Sequence, residues 1–122
     1  MFEKKIPIYL QLIDVFKQQI VTNKWPPGSY ISSVRELALT YQVNPNTVLK
    51  ALTELEEQGL LINDGTVGKK VSNDTDLIYL TRQHMLQEYI SQFVEQGQSI
   101  GYRNDELVEA LHTWKGDQYD RD

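Results

Sequence analysis

The stretch Ser33-Val34-Arg35-Glu36-Leu37-Ala38-Leu39-Thr40-Tyr41-Gln42-Val43-Asn44-Pro45-Asn46-Thr47-Val48-Leu49-Lys50 decides the fold, together with its continuation to Gly59. Ser33-Val34-Arg35-Glu36 has the S-x-x-E form of a capping box, in which the Ser hydroxyl and the Glu carboxylate each satisfy the other's backbone amide. Val34, Leu37, Ala38 and Tyr41 follow at helical spacing for barely two turns. Asn44 is a strong N-cap and Pro45 suits the first helical position, so a new helix begins there. Its buried stripe is Val48, Ala51, Leu52 and Leu55, and Gly59 ends it as the left-handed residue past the C-cap. Only Gln42 and Val43 separate Tyr41 from Asn44. Two short helices across so tight a turn outline a helix-turn-helix.

Upstream, residues 7–23 read as another helix. Pro7 suits its first position, and Tyr9, Leu12, Ile13, Phe16 and Ile20 share one face. Trp25-Pro26-Pro27-Gly28 forces a turn, and Ser29-Tyr30-Ile31 leaves room for a stub of extended chain. Downstream, Leu60-Leu61-Ile62 resembles a buried strand, Asp64-Gly65 is a hairpin-turn dipeptide, and Lys69-Lys70-Val71 returns as its partner. Three helices followed by a hairpin give the order of a winged helix. The expected fold is therefore mainly α with a small β-hairpin wing.

The polar break at residues 72–76 sets the expected organisation: a winged helix-turn-helix domain over 1–74, a helical region over 75–114 and a polar, disordered tail over 115–122. From Leu77 to Gln96 the chain reads as helical, with Ile78, Met85, Tyr89 and Phe93, and Leu86, Ile90 and Val94 beside them, in a broad apolar band and Gly97 as its stop. A shorter helix begins near Asp105, where Asp105 and Glu106 favour a helix N-terminus. The band either packs on the chain's own winged-helix domain or pairs with a second copy of the chain; two helices of about forty residues cannot enclose a core alone, so a second copy is the expected partner.

The 122 residues carry a net charge of -5 and no cysteine. Disulfides, thiolate metal sites and cysteine nucleophiles are thereby excluded. No signal core or membrane-length apolar run occurs, and the expected location is the cytoplasm. Residues 1–74 hold eight basic and eight acidic groups, so the net charge comes entirely from residues 75–122. Any nucleic-acid surface must then be a local patch on the first part.

In a helix-turn-helix the start of the second helix enters the major groove. Asn46, Thr47, Leu49 and Lys50 lie on or near its outward side. Asn pairs with adenine, Thr offers a hydroxyl and a methyl, and Lys reaches guanine or phosphate. The amides at that helix start are expected to take a phosphate. Arg35 is the expected phosphate clamp or guanine reader, and Lys69 and Lys70 in the wing face phosphate or the minor groove. The bland alternative is a winged-helix protein-interaction module without DNA binding. An enzyme is disfavoured, because two histidines, no cysteine and no phosphate-cradling glycine loop leave little chemistry.

Pro7-Ile8-Tyr9-Leu10-Gln11, Ser33-Val34-Arg35-Glu36-Leu37-Ala38, Asn44-Pro45-Asn46-Thr47-Val48 and Leu55-Glu56-Glu57-Gln58-Gly59-Leu60 together resemble the N-terminal domain of GntR-family bacterial transcription regulators. Asn-Pro-Asn-Thr-Val with Lys50 behind it, and the short C-terminal region, are similar to the YtrA-type branch. The resemblance implies DNA contacts at Arg35, Asn46, Thr47, Lys50 and the wing glycine Gly68. It also implies a homodimer built by the C-terminal region, an inverted-repeat double-stranded operator and, as the expected sign, repression. Three positions depart from the pattern. Ser32 replaces a usual Pro, Pro45 and Leu49 stand where many members have arginines, and Val67 and Lys70 replace the wing's Arg and aromatic. No cofactor, metal or membrane partner is expected, and a small-molecule effector is left unknown. Tyr79, Arg82, Tyr89 and Trp114 are read as core or interface in preference to pocket lining, and His84 with Glu88 as surface in preference to a metal site.

Overall fold

The computed structural model describes Phe2 and residues 4–116. Its elements run α1 (Ile8–Val21), α2 (Val34–Tyr41), α3 (Pro45–Glu57), β1 (Leu61–Asn63), β2 (Lys69–Val71), α4 (Thr75–Ser99) and α5 (Asn104–Thr113). The chain forms two units, Met1–Arg82 and Gln83–Asp122, and α4 begins in the first and continues into the second. The tail expected from residue 115 lies, from 117 onward, outside the described residues.

In the first unit the apolar stripes named by spacing become the core. Leu12, Phe16 and Ile20 of α1, Val48, Leu52 and Leu55 of α3, and Leu60, Leu61 and Val71 from the hairpin are almost fully buried. Phe16 packs against Trp25 at 5.3 Å between ring centroids and meets the edge of Tyr41 at 5.5 Å. Ile78, on the first turn of α4, is 7% exposed and joins this core. The first unit therefore extends past the polar break at 72–76, because Leu77 and Ile78 reach back into it.

The helix boundaries follow local chemistry. Ser33 Oγ accepts the Glu36 amide and Glu36 Oε1 accepts the Ser33 amide, which completes the capping box. The Ser33 backbone amide, and then its hydroxyl, hold the Glu36 carboxyl below the ordinary carboxylate range. Gln42 closes α2 in the left-handed region at φ 57. Asn44 caps α3 with Pro45 at its first position, and Gly59 follows the α3 C-cap at φ 81. Pro7 is displaced by one residue from the expectation, standing as the N-cap of α1.

The hairpin pairs Leu61 with Val71, Ile62 with Lys70 and Asn63 with Lys69. The extended stub adds a third edge: Tyr30 bridges Lys70, the Ile31 amide donates to the Lys69 carbonyl at 3.0 Å, and the Val71 amide donates to the Ser29 carbonyl at 2.8 Å. The three-residue strands are thus braced on a second side.

In the second unit Gly97 does not stop α4. The helix continues to Ser99, and Gly97 is buried where a Cβ would stand 2.5 Å from a methyl carbon of Leu107 on α5. Its missing side chain makes the space Leu107 fills, so the glycine is a packing notch and not a helix terminator. The turn beyond it is held by Gln98 donating to Asn104 at 2.8 Å and by the Arg103 amide donating to Glu106 at 2.9 Å.

Candidate nucleic-acid interface

With Val48, Ala51, Leu52 and Leu55 turned inward, α3 presents Asn46, Leu49, Lys50 and Thr53 as exposed residues of its first turns, with Thr47 half-buried at the flank. Thr53 extends this face by one turn beyond the residues named from sequence. The last turn carries Glu54 and Glu57, which repel phosphate, and Glu56, which is ion-paired. Only the N-terminal half of α3 is therefore suited to a duplex.

The α3 amides are not available to a phosphate. Pro45 has none, the Asn46 amide donates to Asn44 Oδ1 at 2.8 Å, and the Thr47 and Val48 amides donate to the Asn44 carbonyl. The strong cap that starts the helix consumes the donors expected for an anion. On α2, by contrast, the Val34 and Arg35 amides have no hydrogen-bond partner among the described residues. Arg35 itself is exposed and makes no ion pair among them.

Lys50 is held over the ring of Tyr9 on α1, its Nζ 3.8 Å from the centroid. The aromatic face orients the ammonium without neutralising it. In the wing the two lysines differ. Lys69 is ion-paired with Glu56 of α3, and both side chains are largely covered. That pair ties wing to α3 and removes Lys69 from the free cations, so Lys70 is the wing lysine that makes no ion pair among the described residues. Gly68 has φ 128, a backbone that side chains rarely adopt, and a Cβ built there meets nothing within 4 Å. Open space beside that backbone leaves room for close approach.

A second tether escaped the sequence because its partners lie 34 residues apart: the Tyr30 hydroxyl donates to Asp64 at the wing turn. The turn is closed by the Asp64 amide donating to the Gly68 carbonyl at 2.8 Å. The hydrogen bond to Asp64 is the largest cause raising the Tyr30 phenol above its ordinary value, followed by partial desolvation. Since the folded-state value is raised, this tether is fully present below the ordinary tyrosine range and is lost as pH rises through the folded value. In an alkaline absorbance titration, Tyr30→Phe should remove a late-ionising tyrosine; removal of an early-ionising one would contradict the tether.

The candidate dimer residues divide. Leu86, Tyr89, Ile90 and Phe93 are 57%, 41%, 43% and 38% exposed, whereas Ile78 and Met85 are each 7% exposed within the chain. Ile78 belongs to the core of the first unit and Met85 is likewise buried, so the exposed stripe left by these candidates is Leu86, Tyr89, Ile90 and Phe93. Tyr79 and Arg82 border a cleft of about 550 Å³ with Val21, Asn23, Pro26, Pro27, Thr75 and Ile78; Tyr89 and Trp114 take no part in it. His84 and Glu88 border a shallow groove with Gln87, Ser91 and Gln92, and no group of three metal-capable side chains converges among the described residues. No helix among them is long and apolar enough to cross a membrane.

The comparisons with known proteins agree with this geometry. The family model for bacterial regulatory proteins of the gntR family matches residues 8–71. The HTH-type transcriptional repressor YtrA of Bacillus subtilis is 32% identical over 109 residues, spanning 88% of this chain and 81% of that protein. The B. subtilis HTH-type transcriptional regulator YhcF is 28% identical over 113 residues, 93% of each. A solved GntR family transcriptional regulator from Listeria monocytogenes superposes with a TM-score of 0.86 at 26% identity, covering 93% of this chain and all of that one. With capping box, tight turn, Asn-Pro recognition helix and braced wing in place, the chain belongs to the GntR family, in its YtrA-type branch, and is a DNA-binding transcription regulator and not an enzyme.

Proposed function

We propose that the chain is a homodimeric repressor that binds an inverted-repeat operator in the cytoplasm. Residues 1–74 supply the DNA contacts, and residues 75–114 couple two subunits. The observation that carries this reading is the exposed face of α3, where Asn46 and Lys50 are presented together while every apolar neighbour except Leu49 turns inward. Arg35 clamps a phosphate, assisted by the open amides of α2. Asn46, Thr47 and Lys50 address base edges, and Gly68 with Lys70 brings the wing against the backbone, with Lys69 holding the wing in place through Glu56. Repression is the sign that the name of the YtrA relative supports.

Pairing through α4 supports the same reading on electrostatic grounds. A first part with no net charge has few phosphate contacts to offer, and two copies on one duplex double them. The acidic C-terminal region, held off the DNA, suppresses non-specific binding. Gel-shift titration of the full chain against the DNA upstream of its own coding sequence, repeated at rising salt, tests the reading. Specific retardation whose affinity falls steeply with salt is expected. Absence of retardation on any upstream inverted repeat would instead favour a protein-interaction module.

A further inference from the structure

Resting on the reading of α3 as the base-contacting helix, we infer that Leu49 is a specificity-determining residue that recognises the C5-methyl group of a thymine in each half-site. Leu49 is 45% exposed, although the other aliphatic side chains of α3 are buried, from Val48 at 0% to Leu52 at 1%. It is not a surplus core residue, since Val48, Ala51, Leu52 and Leu55 already complete the inward stripe. Nor does a polar neighbour account for it. Asn46 stands one turn before it and Thr53 one turn after, and both are exposed.

A large aliphatic group on this face meets base edges in the major groove. There the donors and acceptors of guanine, cytosine and adenine offer it nothing, and the thymine methyl is the one apolar feature. Asn46, three residues earlier on the helix, suits adenine by a bidentate pair. The pair Asn46 and Leu49 therefore selects adjacent A·T base pairs, one through the adenine edge and the other through the thymine methyl. The acidic last turn of α3 and the Glu56–Lys69 pair confine reading to this N-terminal half.

The test starts from duplexes selected from a random pool by the full-length chain, with each thymine then replaced singly by deoxyuridine, which removes only the methyl. For the unaltered chain, one replacement per half-site should weaken binding by about fourfold, the worth of one buried methyl group. Leu49→Ala should bind more weakly overall and lose the thymine-over-uracil preference at that position, and Leu49→Arg should move the selected base there toward guanine. Circular dichroism should show both variants folded, because the side chain lies outside the core. Tolerance of uracil at every position by the unaltered chain, or an unchanged preference in Leu49→Ala, would overturn the assignment while leaving DNA binding intact. Failure of the unaltered chain to enrich any duplex would overturn the functional reading and this inference with it.

Discussion

Replacing Arg35 with Ala should lower operator affinity by about 1–3 kcal/mol per half-site, the usual worth of one well-placed arginine contact, with no loss of thermal stability. The size follows from position: the side chain is exposed on the first turn of α2 and makes no ion pair among the described residues, so nothing inside the protein depends on it. Because a twofold dimer carries the residue twice, the two half-site losses compound. Lys50→Ala should also weaken binding, but it additionally removes the contact with the Tyr9 ring, which at an exposed site contributes about 0.5–1 kcal/mol. A small drop in thermal stability should accompany it. Fluorescence anisotropy at several salt concentrations separates their roles. Loss of a phosphate contact reduces the salt slope by about one per site, whereas loss of a base contact relaxes specificity at one position. Unchanged affinity in Arg35→Ala would remove it from the interface.

Phe93→Asp should convert the proposed dimer to single chains of 14.2 kDa in sedimentation equilibrium, with helical content retained. Leu86, Tyr89, Ile90 and Phe93 fall at i, i+3, i+4 and i+7 on α4 and are all exposed in the single chain. Burying each large side chain against a partner contributes roughly 1.5–3 kcal/mol, and a twofold contact counts every one twice. Aspartate there forfeits the burial and forces two like charges toward the same axis. Operator affinity should fall together with the dimer, since each subunit then holds only one half-site. A dimer that persists in Phe93→Asp would move the contact away from this stripe, and Leu111 or Trp114 on and beyond α5, both exposed, would be the next residues to alter.

What the sequence made legible was local. The capping box of Ser33 and Glu36, the Asn44-Pro45 start, the left-handed Gly59 and the 3.6-residue stripes all involve residues within a turn or two of one another, and each formed as spacing and capping chemistry require. What stayed hidden depended on chain segments far apart. Gly97 has the character of a helix stop until Leu107, ten residues on, folds back onto it. Tyr30 and Asp64 meet only because the extended stub pairs with the wing, and Lys69 is covered because Glu56 stands in the last turn of the neighbouring helix. Ile78 has the spacing of one continuous apolar band, but tertiary packing places it in the core of the first unit; Met85 is also buried, and Leu86, Tyr89, Ile90 and Phe93 stay exposed. Of the candidate DNA-facing residues, Arg35, Asn46 and Lys50 are exposed on α2 and α3 and Thr47 is half-buried. The amides at the α3 start are taken by Asn44, because a strong side-chain cap and a phosphate compete for the same donors.

Hydroxyl-radical footprinting of the full-length protein on its selected duplex, with binding stoichiometry measured on the same fragment, tests the central claim most directly. Two symmetric protected half-sites whose centres lie about one helical turn apart, filled by two chains per duplex, are the predicted result. Protection of a single half-site by one chain, or no protection at concentrations where the protein is dimeric, would contradict it.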